Sequence, residues 1–484
     1  MAEEYVLPAK DIIDNARTKL LYTVPTEGLG EDAVKHHLET HIAPALNRQS
    51  QSPTYYGFVT GGATPAAKHA DHLAVEHDQN VQVHLPNDTI CTDVEDAALR
   101  MVCDLLRLDH HDWQHRTFTT GATASNIVGL ACGREYVIRE AAKRKGKDVN
   151  AYNISERGLF TTMLELDLSS IQILTTAPHS SLRKAASILG LGRESVQDLG
   201  LYQTPHNFDF NALEAALQKP NTASIIVVSC AEVNTGFFAT SGNDMHSLRS
   251  LATKYNAWTH IDAAVGLPAR FLPSGDNTLS AIYDGVKDIE LADSITGDAH
   301  KLFNVPYDCG IFLSRHLGLG MQVFQNVGAA YLATGLTSSV PSPLNIAIEN
   351  SRRFRALPVY ATLAAYGRSG LGDTLKRQIA LARSIAQFIA SEPGFEILPR
   401  SPPSFNKVKE QGISRIYIVV LFRATDDALN KELVQRINAT RKIFVSGTQW
   451  DGQPAARFAL SNWQVDVERD MALITEVLRG VLKD

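Results

Sequence analysis

The chain has 484 residues, of which 44% are hydrophobic, 20% charged and 7% aromatic. This composition is typical of a folded globular protein and excludes disordered, collagen-like and coiled-coil classes. With 46 Lys and Arg against 52 Asp and Glu, the formal net charge is −6. The chain therefore lacks the basic excess that nucleic-acid and anionic-membrane binders use to replace counterions, and we expect neither partner. Small-molecule chemistry is the remaining expectation.

The start of the chain and its cysteines indicate a compartment. Residues 1–5 carry two acids where a targeting signal would carry basic residues. The most apolar run, residues 224–230, is far shorter than the roughly 20 residues of a membrane-spanning helix. The five cysteines are scattered without a C-x-x-C pair, which favours reduced core thiols over disulfides or a zinc site. We therefore expect a cytoplasmic protein.

The first part of the chain has helical periodicity. Apolar spacing predicts helices over residues 11–22 and 32–46, with a break at Gly28 and Gly30. Two short helices cannot bury a core by themselves. Residues 1–80 are therefore expected to form an N-terminal helical arm that packs on something larger.

The middle of the chain, residues 81–350, alternates short β-rich runs with helical stretches. The pattern is typical of βαβ units around a mostly parallel sheet, and it predicts one large domain. Strands are predicted at 172–176, 224–230, 258–261, 294–296 and 310–313, and helices at about 124–143, 180–190, 211–218 and 244–255. Ligands bind beyond the carboxyl ends of the strands in such sheets, so the residues that follow these runs are candidates for a site.

The end of the chain predicts a smaller domain over residues 351–484. Long helical patterns at about 346–366 and 371–391 are followed by three prolines, strands near 414–422 and 456–460, and a helix over 467–482. The expected fold class is α/β, with a large domain around a mostly parallel sheet, a smaller α+β C-terminal domain and the N-terminal arm.

Two of the runs after predicted strands carry a lysine and an acid. Lys301 follows a buried strand and stands beside His300, where it could act as an amine nucleophile toward an aldehyde. Asp262 follows the strand at 258–261 and could cap a helix or keep a heterocyclic nitrogen protonated, with Ala264 small enough to lie flat against the ring. A pyridinium held in this way is the electron sink that carbanion chemistry at an amino acid's α-carbon requires.

Two further runs could complete the site. Gly121 opens a Gly-Ala-Thr turn between a strand and a helix, where backbone N–H groups and the helix N-terminus can cradle a phosphate. An ordinary helix cap would also explain this turn. His179 follows another predicted strand, where a histidine often has only a structural role.

These four motifs, in this order and spacing, resemble the group II pyridoxal-phosphate (PLP) decarboxylases, the family of the aromatic amino acid and glutamate decarboxylases, which have the fold type I architecture. The resemblance extends from about Ser52 to Trp463. It implies that Lys301 forms the Schiff base with PLP and that Asp262 pairs with the ring nitrogen. The other cofactor contacts that it implies are His179 and Ala264 on the two ring faces, Gly121, Ala122, Thr123 and His300 around the phosphate, and Asn234 and Thr235 near the 3-oxygen. Many members have Asn-Pro-His-Lys where this chain has Asp298-Ala-His-Lys, which leaves a phosphate contact from position 298 open.

The resemblance also implies a reaction, the decarboxylation of an L-amino acid to its amine and carbon dioxide through a quinonoid carbanion. Tyr331 lies 30 residues after Lys301, in the place of the family tyrosine that protonates the α-carbon, whereas relatives with phenylalanine there form aldehydes by oxygen-dependent deamination. Ser351, ahead of an Arg-Arg-Phe-Arg stretch, favours tyrosine-like substrates, as it does in plant members. Tyr56 and Phe58 could line the same substrate pocket or belong to the hydrophobic core. Aldehyde formation, aldol-type lysis and transamination stay open as other outcomes of the carbanion.

A different class, a metal-dependent hydrolase, is suggested by His69, His72 and Glu76, which could share a helix face as zinc ligands. Most such clusters are solvated polar faces, so no metal is expected, and a non-catalytic binding protein is the other alternative. Fold type I sites usually lie at a subunit interface, so a homodimer with its active site at that interface is expected.

Overall fold

The computed structural model describes residues 5–327, 340–399 and 412–483. The chain divides into two compact units. Unit 1 comprises Met1–Gly62, Arg377–Lys409 and Ile418–Asp484, and unit 2 comprises Ala63–Lys376 and Glu410–Tyr417. These divisions differ from the boundaries at residues 80 and 350 that the sequence suggested, and the three-part organisation stays a prediction.

The sheet of unit 2 has seven strands, and its order is β1-β7-β6-β5-β4-β2-β3. The strands are β1 (His115–Thr119), β2 (Ser170–Thr175), β3 (Val196–Asp198), β4 (Thr222–Ser229), β5 (Trp258–Asp262), β6 (Ser294–Asp298) and β7 (Gly310–Ser314). β7 is antiparallel to β1 and to β6, and the other pairings are parallel. The expected mostly parallel sheet is confirmed, and the carboxyl ends of six strands meet at one edge.

The described α-helices are distributed over both units. In chain order the described α-helices are α1 (Lys10–Thr18), α2 (Glu31–His37), α3 (Pro65–His77), α4 (Cys91–Leu105), α5 (Ala122–Arg144), α6 (Ile154–Arg157), α7 (Leu159–Glu165), α8 (Ser180–Ile188), α9 (Phe210–Leu217), α10 (Asp244–Tyr255), α11 (Ser280–Asp284), α12 (Leu317–Phe324), α13 (Ala356–Ser391), α14 (Asp427–Ala439) and α15 (Val467–Val481). The helices predicted around 124–143, 180–190, 211–218 and 244–255 correspond to α5, α8, α9 and α10. None of these described helices is long and apolar enough to cross a membrane.

The core of unit 2 lies between α5, α8 and the central strands. β4 is almost entirely buried, which explains why it reads as a continuous apolar run rather than an alternating one. α5 lies close against β5, because Gly129 and Gly133 leave room for the side chains of that strand. A Cβ atom on Gly129 would lie 2.5 Å from the His260 ring, and one on Gly133 would lie 2.8 Å from the Trp258 ring. This contact fixes the amino end of α5 at the edge where the strands end.

Unit 1 contains a four-stranded antiparallel sheet in the order β10-β11-β9-β8. Its strands are β8 (Phe395–Leu398), β9 (Val419–Ala424), β10 (Ser446–Trp450) and β11 (Gln453–Ala459). In the N-terminal arm, the helix predicted over 32–46 is α2 followed by a π turn at Leu38–Ile42 and a 3₁₀ turn at Ala43–Ala45. The smaller α+β part and the helical arm that the sequence predicted are therefore confirmed as elements.

Candidate active site

The predicted site residues of unit 2 follow the strands whose carboxyl ends meet at one edge of the sheet. β5 ends at Asp262, β6 ends at Asp298, and Lys301 lies in the turn directly after β6. His179 follows β2, and Gly121 lies between β1 and α5. In an open α/β sheet this edge is where ligands bind.

Lys301 contacts a buried carboxylate. Its Nζ atom lies 2.9 Å from Oδ2 of Asp298, whose side chain is only 4% exposed, whereas that of Lys301 is 21% exposed. The other oxygen of Asp298, Oδ1, accepts a hydrogen bond of 2.7 Å from the backbone N–H of Ala122 at the start of α5. Asp298 therefore joins the lysine turn to the amino end of this helix. The sequence had left the role of this position open.

His300 is held as a neutral ring beside Asp298. Burial lowers its pKa, with the nearby Lys301 acting in the same direction and Asp298 against it. The backbone N–H of Cys309 donates to Nδ1 over 3.2 Å, so the neutral ring carries its proton on Nε2. The ring also contacts the Tyr307 ring, with 4.4 Å between centroids and 34° between the ring planes. The Nε2–H group is thus the donor that this buried ring can offer to a ligand.

The amino end of α5 has the features of an anion cradle. α5 is 23 residues long and begins at Ala122, without a side-chain cap from Gly121. A Cβ atom at Gly121 would approach the His300 ring to 3.3 Å, so glycine keeps this cradle open. Helix geometry leaves the N–H groups of Thr123 and Ala124 without a partner inside the helix, and the helix dipole favours an anion there. The N–H of Ala122 itself is bonded to Asp298.

Asp262 is oriented by two donors. Oδ2 accepts a hydrogen bond of 2.9 Å from Nδ2 of Asn126, and Oδ1 accepts one of 3.3 Å from the backbone N–H of Ala264. Asn126 is fully buried on α5, and its Oδ1 lies 3.0 Å from Nε2 of His260 on β5. The carboxylate is therefore fixed at the strand end, as a counter-ion for a protonated ring nitrogen requires.

His179 caps α8 and is also held in one orientation. Its Nδ1 accepts from the backbone N–H of Ser181 over 3.2 Å and lies 2.8 Å from the Ser181 hydroxyl. Asn234 and Thr235 lie in the turn after β4, where their backbone N–H groups and the Thr235 hydroxyl donate to the buried Glu232 carboxylate. Glu232 thus shapes the loop that carries both residues.

The predicted substrate-side residues lie in different surroundings. Ser351 is exposed in unit 2, and its hydroxyl accepts from Asn80 over 3.4 Å. In unit 1, Tyr56 is 1% exposed, and its ring centroid lies 5.6 Å from that of Phe458, as in a core residue. Phe58, by contrast, is 53% exposed. The predicted pocket of Tyr56, Phe58 and Ser351 stays a prediction.

The arginines after Ser351 have structural partners. Arg352 is fully buried and bonds Gln82, the Phe118 carbonyl and Glu95. Arg355 binds Asp308 through two hydrogen bonds of 3.0 and 3.1 Å. Burial would raise the pKa of Asp308, but this bidentate partner lowers it. These contacts tie the stretch to the strand and loop around the site.

Two further predictions concern the proton donor and a metal site. Tyr331, the predicted proton donor, lies outside the described residues. In the described ranges, the only group of three His, Cys or acidic side chains with ligand atoms within 4.8 Å of one another is Asp109, His110 and His111, a local loop cluster. His69, His72 and Glu76 do not form such a group, so the zinc alternative lacks a geometric basis.

The donor set fits PLP. The edge presents an amine, an oriented carboxylate and a helix N-terminus kept open by glycine, which match the aldehyde, the ring nitrogen and the phosphate of the cofactor. Asn126 and His260 were not among the residues predicted from the sequence, although both lie inside the predicted motifs. Their burial and their mutual contact are visible only in the fold.

Comparisons with known proteins agree with this chemistry. The family model of the pyridoxal-dependent decarboxylase conserved domain matches residues 15–403. The chain is 27% identical to L-2,4-diaminobutyrate decarboxylase of Acinetobacter baumannii over 75% of this chain and 68% of the relative. It is 25% identical to tyrosine decarboxylase 2 of Arabidopsis thaliana over 85% and 70% of the two chains.

A solved structure shows the same fold. The crystal structure of Rhodiola rosea 4-hydroxyphenylacetaldehyde synthase aligns with a TM-score of 0.77 and 17% identity, covering 99% of this chain and 94% of that one. At this identity the likeness concerns the fold alone. The family match, however, covers most of the chain. The chain therefore belongs to the pyridoxal-dependent decarboxylases, and it is a PLP-dependent carboxy-lyase that acts on amino acids.

Proposed function

We propose that this chain converts an aromatic, tyrosine-like L-amino acid to its amine and carbon dioxide. The observation that carries the proposal is the meeting of the Lys301 amine and the Asp262 carboxylate at one sheet edge, each with a partner that orients it. PLP, when bound, supplies an electron sink for the electron pair left at the α-carbon when carbon dioxide departs.

Each side chain of the site has a separate role in the proposed reaction. Asp262 holds a proton on the ring nitrogen of PLP, and His179 and Ala264 flank the ring. Lys301 must be a neutral amine to attack a carbonyl carbon, and the Asp298 carboxylate at 2.9 Å can accept its proton. The first turn of α5 and His300 hold the phosphate group. Tyr331 returns a proton to the α-carbon.

The aromatic preference rests on fewer residues. Ser351, ahead of the arginine stretch, supports a phenolic side chain, and Tyr56 and Phe58 are the proposed aromatic lining. The likeness to tyrosine decarboxylase 2 supports the same class. The likeness to L-2,4-diaminobutyrate decarboxylase makes a cationic amino acid the substrate to test against it.

The second candidate function is oxygen-dependent conversion of the same amino acid to an aldehyde. It is suggested by the likeness to phenylacetaldehyde synthase of Arabidopsis thaliana, which is 27% identical over 89% of this chain and 81% of that one. Position 331 is the residue that separates the two outcomes in the family pattern, and tyrosine there supports the amine.

Product identification by mass spectrometry tests the proposal. The purified chain with added PLP is incubated with tyrosine, tryptophan, phenylalanine, 2,4-diaminobutyrate, aspartate and glutamate, with and without oxygen. We expect amine from tyrosine in both atmospheres and none from Lys301→Ala, which should also lose the absorbance of bound PLP. Tyr331→Phe should shift the product toward aldehyde and peroxide. Aldehyde from the wild-type chain, or a preference for a non-aromatic acid, would overturn the corresponding part of the proposal.

We also propose a cytoplasmic homodimer with its active site at the subunit interface. Apolar side chains of the N-terminal arm are exposed, with Leu21 59%, Tyr22 82% and Val24 93% exposed. Exposed apolar groups in a contiguous segment indicate a contact surface. The five cysteines are free and buried, which suits a reducing compartment.

Sedimentation velocity tests the oligomeric state. We expect a species of about twice the 52.9 kDa chain mass. Tyr22→Asp combined with Val24→Asp should yield monomer, because two carboxylates would have to be desolvated at the interface. A wild-type monomer at micromolar concentration would contradict the proposal.

A further inference from the structure

Asn126 connects two of the proposed cofactor-contacting residues through one buried amide. Its side chain is fully buried, and its Nδ2 atom lies 2.9 Å from Asp262 Oδ2 and 3.4 Å from the Ser181 hydroxyl oxygen. The Ser181 hydroxyl in turn lies 2.8 Å from Nδ1 of His179. The carbonyl side of the amide faces His260.

The direction of every hydrogen bond follows from the carboxylate. Asp262 can only accept, so the Asn126 amide must turn its NH₂ group to Asp262 and Ser181. Its Oδ1 then faces Nε2 of His260 at 3.0 Å and can only accept. The proton of the His260 ring is therefore on Nε2. Its Nδ1 is an acceptor.

The series of hydrogen bonds continues from His260 through Ser294 to Trp258. Nδ1 of His260 lies 2.7 Å from the Ser294 hydroxyl, which must donate to it. The Ser294 oxygen accepts from the indole N–H of Trp258 over 3.1 Å. From Trp258 to Asp262, each group therefore donates toward the carboxylate.

The charge state of the histidine agrees with this order. His260 is fully buried, and burial lowers its pKa to about 4, although Asp262 acts in the opposite direction. The ring is neutral at physiological pH. His260 therefore serves as a hydrogen-bond donor of fixed direction. A cationic imidazolium would instead compete with the ring nitrogen of PLP for the Asp262 carboxylate.

We propose that His260 and Asn126 are positioning residues that act through Asp262 and His179. His260 holds the Asn126 amide with its NH₂ group toward the site, and Asn126 thereby fixes the Asp262 carboxylate and orients the Ser181 hydroxyl toward Nδ1 of His179. Without the Nε2–H donor the amide can rotate and point its oxygen at the carboxylate. This inference rests on the proposed role of Asp262 toward PLP.

The test is the protonation of the PLP ring nitrogen, observed by ¹⁵N NMR of ¹⁵N-labelled PLP bound to the full chain, together with its dissociation constant. His260→Leu removes the donor, whereas a glutamine can place an N–H close to the position of Nε2. We expect His260→Leu to weaken PLP binding about tenfold to a hundredfold and to move the ¹⁵N signal toward unprotonated pyridine. His260→Gln should stay within about threefold of the wild type, with the protonated signal, because it keeps the donor.

A milder variant with a matched control keeps the test informative if His260→Leu does not fold. Ser294→Ala removes the donor to Nδ1 and lets the ring proton move there, so we expect the same direction of change at smaller size. Ser314→Ala is the matched control, because Ser314 is the paired residue on β7, is fully buried and donates to the Asp293 carbonyl. Its PLP affinity and ¹⁵N signal should equal those of the wild type.

The outcomes separate this inference from the proposed reaction. Neither measurement involves turnover, so an unexpected substrate or an aldehyde product leaves both readouts unchanged. A protonated signal with unchanged affinity in His260→Leu and Ser294→Ala would overturn the inference. Equal losses in His260→Leu and His260→Gln would also overturn it, because they would show a packing role for the ring. Recovery in His260→Gln alone supports it.

Discussion

At the scale of single residues, Asp298 distinguishes this chain from the Asn-Pro-His-Lys pattern of the relatives that it resembles. Its carboxylate contacts the Lys301 amine and the first N–H of α5, and it is nearly fully buried. An asparagine could accept from Ala122 but could not neutralise a lysine. The charge of Asp298 is therefore needed to neutralise Lys301. Its acceptor position, which an asparagine also offers, is sufficient for the hydrogen bond from α5.

The ion pair between Asp298 and Lys301 is expected to stabilise the cofactor-free protein. Asp298→Asn keeps an acceptor for Ala122 and removes the charge, so the free energy of unfolding should fall by about 1–3 kcal/mol. The partial exposure of Lys301 favours the lower end of this range. Urea unfolding of Asp298→Asn, Lys301→Ala and the double variant measures the coupling between the two residues. Additivity within about 0.5 kcal/mol would contradict the ion pair.

At the scale of elements, the close approach of α5 to β5 brings Asn126 and the helix N-terminus to the strand ends. The approach depends on two glycines that face His260 and Trp258. Helix propensity alone disfavours glycine inside a helix by about 1 kcal/mol, so packing has prevailed over propensity here.

Gly129→Ala is therefore expected to destabilise the protein, although alanine is the better helix former. Its Cβ atom would lie 2.5 Å from the buried His260 ring, and such overpacking costs about 1–3 kcal/mol. Gly318→Ala in α12 is the control, because the space around its Cβ position is open, and it should leave stability unchanged or raise it by about 0.5 kcal/mol. Urea unfolding midpoints check both signs. Equal effects would contradict the packing argument.

At the scale of the whole molecule, three buried histidines link the stability of unit 2 to pH. Burial lowers the pKa of His115, His206 and His260 to about 4 in each case. In the unfolded chain each ring has an ordinary pKa of about 6.5. Protons therefore bind the unfolded state more readily, and stability that is fully present above pH 6.5 is lost as pH falls toward 4.

Replacing one of these rings should reduce that loss. The Nε2–H of His115 donates to the Ile346 carbonyl over 2.8 Å, a bond outside the series of groups that leads to Asp262. His115→Gln should lower the slope of unfolding free energy against pH by up to about 1.4 kcal/mol per unit between pH 6 and 4.5. Denaturant unfolding at a series of pH values measures the slope, and above pH 7 the two curves should run parallel. Identical slopes below pH 6 would contradict the assignment.

Local sequence patterns were sufficient to predict many of the elements and the chemistry of the motifs. Apolar runs and helical spacing are local properties, so β4, β5, β6, α5 and α10 were predicted within a few residues. The order of motifs along the chain was sufficient to identify Lys301 and Asp262 as candidates and to indicate PLP. β8, β10 and α14 were overlooked because their patterns are short or weakly periodic.

Which polar groups contact one another depends on the tertiary fold. Asn126, His260 and Ser294 lie on three elements that are far apart in sequence, and their hydrogen bonds exist because α5 packs on β5 beside β6. The same holds for Asp298, whose contacts with α5 and with Lys301 depend on how the sheet edge is assembled. Local sequence specifies backbone conformation through propensity and periodicity, whereas the direction of a buried hydrogen bond depends on partners that folding alone brings together.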